Sequence, residues 1–155
     1  MSKLLVGGGC FWGMEELFRS QPGVIDTVVG YAGGTNDNPT YESHPGHAES
    51  IEISFDESKT SLDTLLDYFF KIHDPTTVNR QGNDIGTSYR SVIFYDGDEM
   101  KRRSEQAIAR NQPHWSRPIV TRLEPLPRFW IAEDYHQDYL QKNPGGYTCH
   151  YERNW

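Results

Sequence analysis

Apolar residues recur along this chain at two spacings, one of period two and one near 3.6, and the switches between them mark out short strands and helices. A buried strand is predicted over 3–7, where Leu4, Leu5 and Val6 run together, and an amphipathic helix follows over 11–20 with Met14, Leu17 and Phe18. Strands are predicted over 24–31 and 48–55; in the second, Ile51, Ile53 and Phe55 alternate with Glu52 and Ser54, the signature of one buried face. A helix over 61–73 buries Leu62, Leu65, Leu66 and Phe69, and is followed by strand 89–95, helix 98–111, strand 118–124 and helix 131–142. The first six elements follow the order βαββαβ. That order predicts an α+β two-layer sandwich of ferredoxin-like type, helices on one side of the sheet, with a C-terminal helix and an irregular tail appended.

The length, 155 residues, fits one domain spanning 1–155. No apolar run is long enough to cross a bilayer, and Met1-Ser2-Lys3 with the short apolar strand behind it lacks a signal-peptide core, so a cytosolic protein is expected. A formal charge of −7, from 22 acidic against 15 basic residues, argues against partners held by general electrostatics such as nucleic acid or an anionic membrane. The one basic cluster, Lys101-Arg102-Arg103, reads as a solvated helix face, and the polar, acidic surface makes a monomer the simplest expectation. Aromatic residues make up 13% of the chain, and several stand in glycine-rich or polar stretches where they serve as pocket walls as readily as core.

Chemistry concentrates at Gly7-Gly8-Gly9-Cys10-Phe11-Trp12-Gly13, which puts one of only two cysteines at the turn from strand to helix. Unpaired amides and the positive end of the helix dipole at that point favour a thiolate, although a small buried thiol fits the same place. Phosphate binding is excluded: Trp12 stands where the dinucleotide fingerprint needs a third glycine, and no Gly-Lys-Ser/Thr triplet follows. Two long polar loops, 33–46 and 74–86, have the length of functional loops. From about residue 143 the tail carries helix-stop signals, Asn143-Pro144-Gly145-Gly146, and then Cys149 on a segment able to move. Two cysteines are too few for a secreted disulfide scaffold and point to a transient, catalytic disulfide. Two other readings use the same residues: a hydrolase triad of Cys10 with His136 or His47, and a metal-holding module of His44, His47, Cys149 and His150.

Eight stretches carry a resemblance. Gly9-Cys10-Phe11-Trp12-Gly13, Gly30-Tyr31-Ala32-Gly33-Gly34, Pro39-Thr40-Tyr41, Gly46-His47-Ala48-Glu49, His73-Asp74-Pro75-Thr76, Arg80-Gln81-Gly82-Asn83-Asp84, Gly86-Thr87-Ser88-Tyr89-Arg90-Ser91 and Ala132-Glu133-Asp134-Tyr135-His136-Gln137 closely resemble the A-class peptide methionine sulfoxide reductases, in order and from residue 5 to about 151. The resemblance implies reduction of the S epimer of methionine sulfoxide, in proteins or free, with Cys10 as nucleophile and Glu49 as the acid that protonates the departing oxygen. That role requires burial to raise the pKa of Glu49. It implies further that Tyr41 and Tyr89 hydrogen-bond the sulfoxide oxygen, that Asp84 organises the site through water, and that Phe11 and Trp12 wall the pocket for the S-methyl group. Attack leaves a Cys10 sulfenic acid, which Cys149 converts to a disulfide recycled by thioredoxin, as in the two-cysteine members. No cofactor and no metal are implied. Ser43 stands where some relatives carry another cysteine, and the chain has no further recycling thiol beyond Cys149.

Overall fold

The computed structural model describes residues 2–155. Eight strands and four helices alternate along it: β1 (Ser2–Gly8), α1 (Phe11–Arg19), β2 (Val24–Ala32), β3 (Ala48–Phe55), α2 (Leu62–Ile72), β4 (Arg80–Gln81), β5 (Asp84–Ile85), β6 (Ser91–Tyr95), α3 (Asp98–Asn111), β7 (Arg122–Pro125), β8 (Phe129–Ile131) and α4 (Tyr139–Lys142). The main sheet runs β7-β6-β1-β3-β2-β8, and its inner four strands, β6-β1-β3-β2, are all antiparallel. This is the split βαβ arrangement that the element order predicts, with each crossover helix spanning a strand inserted between the two it joins. Two edge strands extend it: β7 pairs with β6 in parallel, and β8 pairs antiparallel with β2.

Alternation assigns the two faces. Leu4 and Val6 of β1, Val29 and Tyr31 of β2, and Ile51, Ile53 and Phe55 of β3 point into one cluster with Phe11, Met14 and Phe18 of α1 and Leu62, Leu65, Leu66 and Phe69 of α2. The opposite face is thinner, holding Leu5, Ala32, Ala48, Val92 and Phe94 with Phe129 packed against them. Helix α2 starts where its sequence says it should, with the Ser61 hydroxyl accepting the Thr64 amide at 3.1 Å.

The expected helix over 131–142 is confined to its last turn, Tyr139–Lys142. Its first residue pairs instead in β8, a 3₁₀ turn follows at Asp134–His136, and Asp138 is left-handed with φ 55°. Side chains explain the change, because Gln137 takes the Val29 amide at 3.0 Å and donates to the Val29 and Ala132 carbonyls at 2.9 and 3.1 Å. The segment thereby satisfies the exposed edge of β2, which a helix would leave bare. Strand 89–95 likewise begins only at Ser91, with Thr87–Tyr89 forming a 3₁₀ turn, and the strand expected over 118–124 is observed at Arg122–Pro125.

Candidate active site

Cys10 is the residue immediately before α1 and is 7% exposed. The glycines around it are spacing devices. At Gly9, where φ is 98°, a side chain would meet Gln81 Cγ at 2.6 Å, and at Gly13 it would fall 2.5 Å from His150 Nδ1 and closer still to Thr148 Oγ1. The turn before Cys10 therefore lies directly against the 74–86 loop, and the first turn of α1 against the C-terminal tail.

Glu49 reaches the same place from the sheet. Counting back by twos from Phe55, Ile53 and Ile51 puts it on the helix-facing row of β3, opposite Tyr31 of β2, and it is 2% exposed. Its Oε1 accepts the Phe11 amide at 3.1 Å. Burial pushes its pKa up to about 8; the Phe11 amide opposes the rise and the Asp84 charge adds to it. At neutral pH this carboxyl therefore carries its proton, and with Oε1 occupied as an acceptor the hydroxyl is on Oε2.

The thiolate predicted at Cys10 from the helix terminus is not preformed. Burial pushes the thiol well above its ordinary range, and the Glu49 charge adds to this, outweighing the Trp12 amide that favours the anion. Below about pH 8 Glu49 is itself neutral, so burial is left as the main cause. A helix N-terminus favours an anion, but removal from water costs more here.

Tyr41 comes to this centre from the 33–46 loop and Tyr89 from the 3₁₀ turn Thr87–Tyr89 that follows the 74–86 loop. After burial, the charges that push the Tyr41 phenol up to about 12 are Glu49, Cys10 and Asp84, and Glu49, Asp84 and Cys10 also act on Tyr89, which rises further. Asp84 lies between the site and the tail: its Oδ2 accepts the Tyr147 hydroxyl at 3.2 Å and is 4.0 Å from Cys149 Sγ. Phe11 is buried in the main core, its ring 5.8 Å from Tyr31. Trp12 is half-buried and lies flat on Tyr139, with ring centres 3.8 Å apart. Cys149 is half-buried, and Gly82 approaches its Cβ to within 3.3 Å of where a side chain would start.

Three further side chains, Glu133, His136 and His47, hold the site in place. Glu133 holds two of the aromatics at once, accepting the Tyr31 hydroxyl at 2.8 Å and the Tyr41 amide at 3.0 Å. His136 accepts the Trp12 indole N–H at 2.9 Å through Nδ1. His47 takes the Gly34 amide on Nδ1 and donates from Nε2 to the Asn36 carbonyl, pinning the 33–46 loop. The hydrolase reading thus finds its two candidate bases bound to other partners. The metal reading fares no better, since His44 bonds Thr40 and Ser88, His150 bonds the Gly8 carbonyl, and no group of three or more His, Cys, Asp or Glu among the described residues could hold an ion. Glu133 is marked in the sequence only by its place in the Ala132–Gln137 stretch, and His136 and His47 only as candidate triad bases; nothing in periodicity marks any of them as positioning groups.

Comparisons with known proteins agree on what this site belongs to. The family described as peptide methionine sulfoxide reductase matches residues 2–155. A peptide methionine sulfoxide reductase MsrA of Mycobacterium sp. (strain MCS) is 58% identical over 153 residues, covering 97% of this chain and 90% of the relative. Among solved structures, the reduced form of Mxr1 from Saccharomyces cerevisiae superposes with a TM-score of 0.93 at 38% identity, covering 99% of this chain and 92% of that one. Mxr1 in complex with Trx2 superposes with a TM-score of 0.70 at 28% identity, covering 99% and 90%. The chain belongs to the peptide methionine sulfoxide reductase family, and its activity is the reduction of methionine sulfoxide.

Proposed function

We propose that the reaction is carried by Cys10 as nucleophile and Glu49 as acid, acting on the S epimer of methionine sulfoxide free or within a polypeptide. The observation that carries this assignment is Glu49 itself, a carboxyl buried under the first turn of α1, protonated at neutral pH and near enough to Cys10 for its charge to act on the thiol. A sulfoxide oxygen is a poor leaving group until it gains a proton, and a neutral carboxylic acid with its acceptor oxygen already tied to an amide supplies one. Sulfur of Cys10 attacks sulfur of the substrate and forms an S–S bond, while the S–O bond breaks and the oxygen leaves as water with the thiol proton and the Glu49 proton. Water then attacks Cys10 sulfur, the S–S bond breaks with its electron pair going to the methionine sulfur, and the proton released returns to Glu49, so methionine and Cys10–SOH are the products. The thiol loses its proton only as this happens, which keeps the resting enzyme unreactive toward other electrophiles.

Tyr41 and Tyr89 serve as donors to the same oxygen. Both phenols remain protonated at any working pH, since burial and the neighbouring charges raise them. Asp84 orders the site between the two thiols. Trp12, held by His136 at its indole N–H and stacked flat on Tyr139, and Phe11, which also packs on His136, form the apolar wall for the S-methyl group. With methyl, oxygen and nucleophile directions all set, one epimer fits.

Cys149 is the resolving thiol, carried on a tail hinged at Gly145-Gly146 that moves as the Cys10–Cys149 disulfide forms, and thioredoxin reduces that disulfide. Support comes from the yeast relative, whose reduced form matches this chain far better than its complex with Trx2 does. A single turnover of reduced protein with each epimer and no added reductant tests the whole reading. The expected result is about one methionine per chain from the S epimer only, with loss of two hydrogens mapping to a Cys10–Cys149 bridge. No methionine from either epimer, or equal yields from both, would overturn it.

A further inference from the structure

We propose that His150 is the general base of the resolving step, taking the Cys149 thiol proton on Nδ1 as Cys149 sulfur attacks the Cys10 sulfenic acid; this rests on the reading of Cys149 as the resolving thiol. The assignment begins with a tautomer. His150 Nε2 is 2.6 Å from the Gly8 carbonyl oxygen, which can only accept, so Nε2 carries the hydrogen and Nδ1 carries the lone pair. That lone pair faces Cys149 Sγ at 4.0 Å.

Two other acceptors stand equally far from the sulfur, the Gln81 carbonyl and Asp84 Oδ2, both at 4.0 Å. A peptide carbonyl cannot take up a proton. Asp84 already accepts the Tyr147 hydroxyl, and its charge pushes the Cys149 thiol upward, opposing the thiolate that attack requires. A neutral imidazole that becomes positive as the thiol gives up its proton acts in the opposite sense. Burial, partly opposed by the Gly8 carbonyl, lowers the His150 pKa to about 4, so Nδ1 stays open near neutrality and does not retain the proton. The proton passes on to the hydroxyl leaving Cys10. The step then balances: the S–H and S–O bonds break, S–S and one O–H form, Cys149 sulfur is oxidised, Cys10 sulfur is reduced and water departs.

Position supports the same role. The Gly8 carbonyl is two residues from Cys10, so the bond that fixes the imidazole also places the base and its thiol beside the sulfenic acid. Gly13 leaves the room the ring needs against α1.

The test separates the two steps in a single turnover of the full chain, reading methionine release and then bridge formation by intact mass. His150→Gln keeps an N–H able to reach the Gly8 carbonyl and has no basic lone pair. Bridge formation is expected to slow about 10²-fold with methionine release far less affected, and imidazole added to His150→Gly is expected to restore the bridging rate. Bridging at the wild-type rate in His150→Gln, parallel slowing of both steps, or no rescue by imidazole would each overturn the proposal. So would bridging that survives His150→Gln and collapses in Asp84→Asn, which would give the proton to Asp84. Wild-type protein that releases methionine and keeps a stable sulfenic acid would instead sink the resolving role of Cys149.

Discussion

The chain's two thiols occupy opposite kinds of structure. Cys10 lies where β1 turns into α1, nearly sealed from water and backed by Glu49 on the central strand β3. Cys149 lies in a stretch without helix or strand, half-buried, ahead of an end segment fastened elsewhere: Glu152 accepts the Tyr68 hydroxyl at 2.6 Å and the Arg153 amide donates to the Lys71 carbonyl at 3.1 Å. A thiol that must meet one epimer at one angle gains from a rigid, dry frame. A thiol that must reach a first sulfur and then surrender its bond to a reductant gains from a chain that can swing. On the reading proposed above, the two thiols divide a rigid site from a segment without helix or strand.

The division breaks most sharply by removing each sulfur in turn. Cys10→Ser should abolish methionine release from either epimer even in a single turnover, with the fold retained. Cys149→Ser should release about one methionine per chain at the wild-type rate and then stall with thioredoxin as sole reductant, leaving Cys10 as sulfenic acid. Sustained turnover by Cys149→Ser would show that the tail is dispensable and erase the contrast.

Within the rigid half the larger effect belongs to Glu49. Glu49→Gln should slow the first step by about 10²- to 10⁴-fold with little change in substrate binding, read from single-turnover rates across substrate concentration. The wild-type rate should fall as pH rises through about 8, where the acid loses its proton. Stability follows the same group. Unfolded, the carboxyl ionises near its ordinary value of 4.5, whereas folded it holds its proton to about 8, so the folded state binds more protons between those values and loses stability as pH rises across that window. Glu49→Gln should flatten that decline in thermal melts; a decline of unchanged steepness would place the titrating group elsewhere.

The frame was largely legible in the sequence because it rests on periodicity. Ile51, Ile53 and Phe55 announce the buried row of β3, and two steps back along it lies Glu49, so the carboxyl's burial follows from the pattern that builds the core. Residues 131–142 show where pattern fails. Their apolar spacing suits a helix, yet Glu133 bonds Tyr31 and Tyr41, Gln137 bonds the edge of β2, and the Asp138 amide donates to Glu15 at 2.8 Å, all contacts more than 90 residues apart in sequence. Local propensity cannot register partners that distant. The raised pKa of Cys10 is beyond the sequence for a related reason: a helix terminus is a local feature, and the depth of its burial is not.

A smaller effect tests the seam between the two halves. Alanine is a better helix former than glycine by about 1 kcal/mol, so Gly13→Ala should steady α1 while its methyl group collides with Thr148 and His150. Bridge formation should slow by about tenfold as the tail is displaced, with methionine release much less affected. Bridging at the wild-type rate would mean that the tail need not dock against α1 for Cys149 to reach Cys10.

The smallest effect lies at the far end. Trp155 stacks on His114 with ring centres 4.5 Å apart and meets Trp115 edge-on at 5.3 Å. Such contacts are worth about 0.5–1.5 kcal/mol each beyond area burial, and in a domain of this size that corresponds to roughly 2–4 °C in Tm per kcal/mol. Trp155→Ala should therefore lower Tm by a few degrees and leave both chemical steps nearly unchanged, because Glu152 and Arg153 still fasten the segment upstream of it. If bridge formation instead slows tenfold or more, docking of the whole 150–155 segment is cooperative. The anchor of the resolving thiol would then extend from His150 to Trp155, and the moving part would be confined to the few residues between Gly145-Gly146 and Cys149.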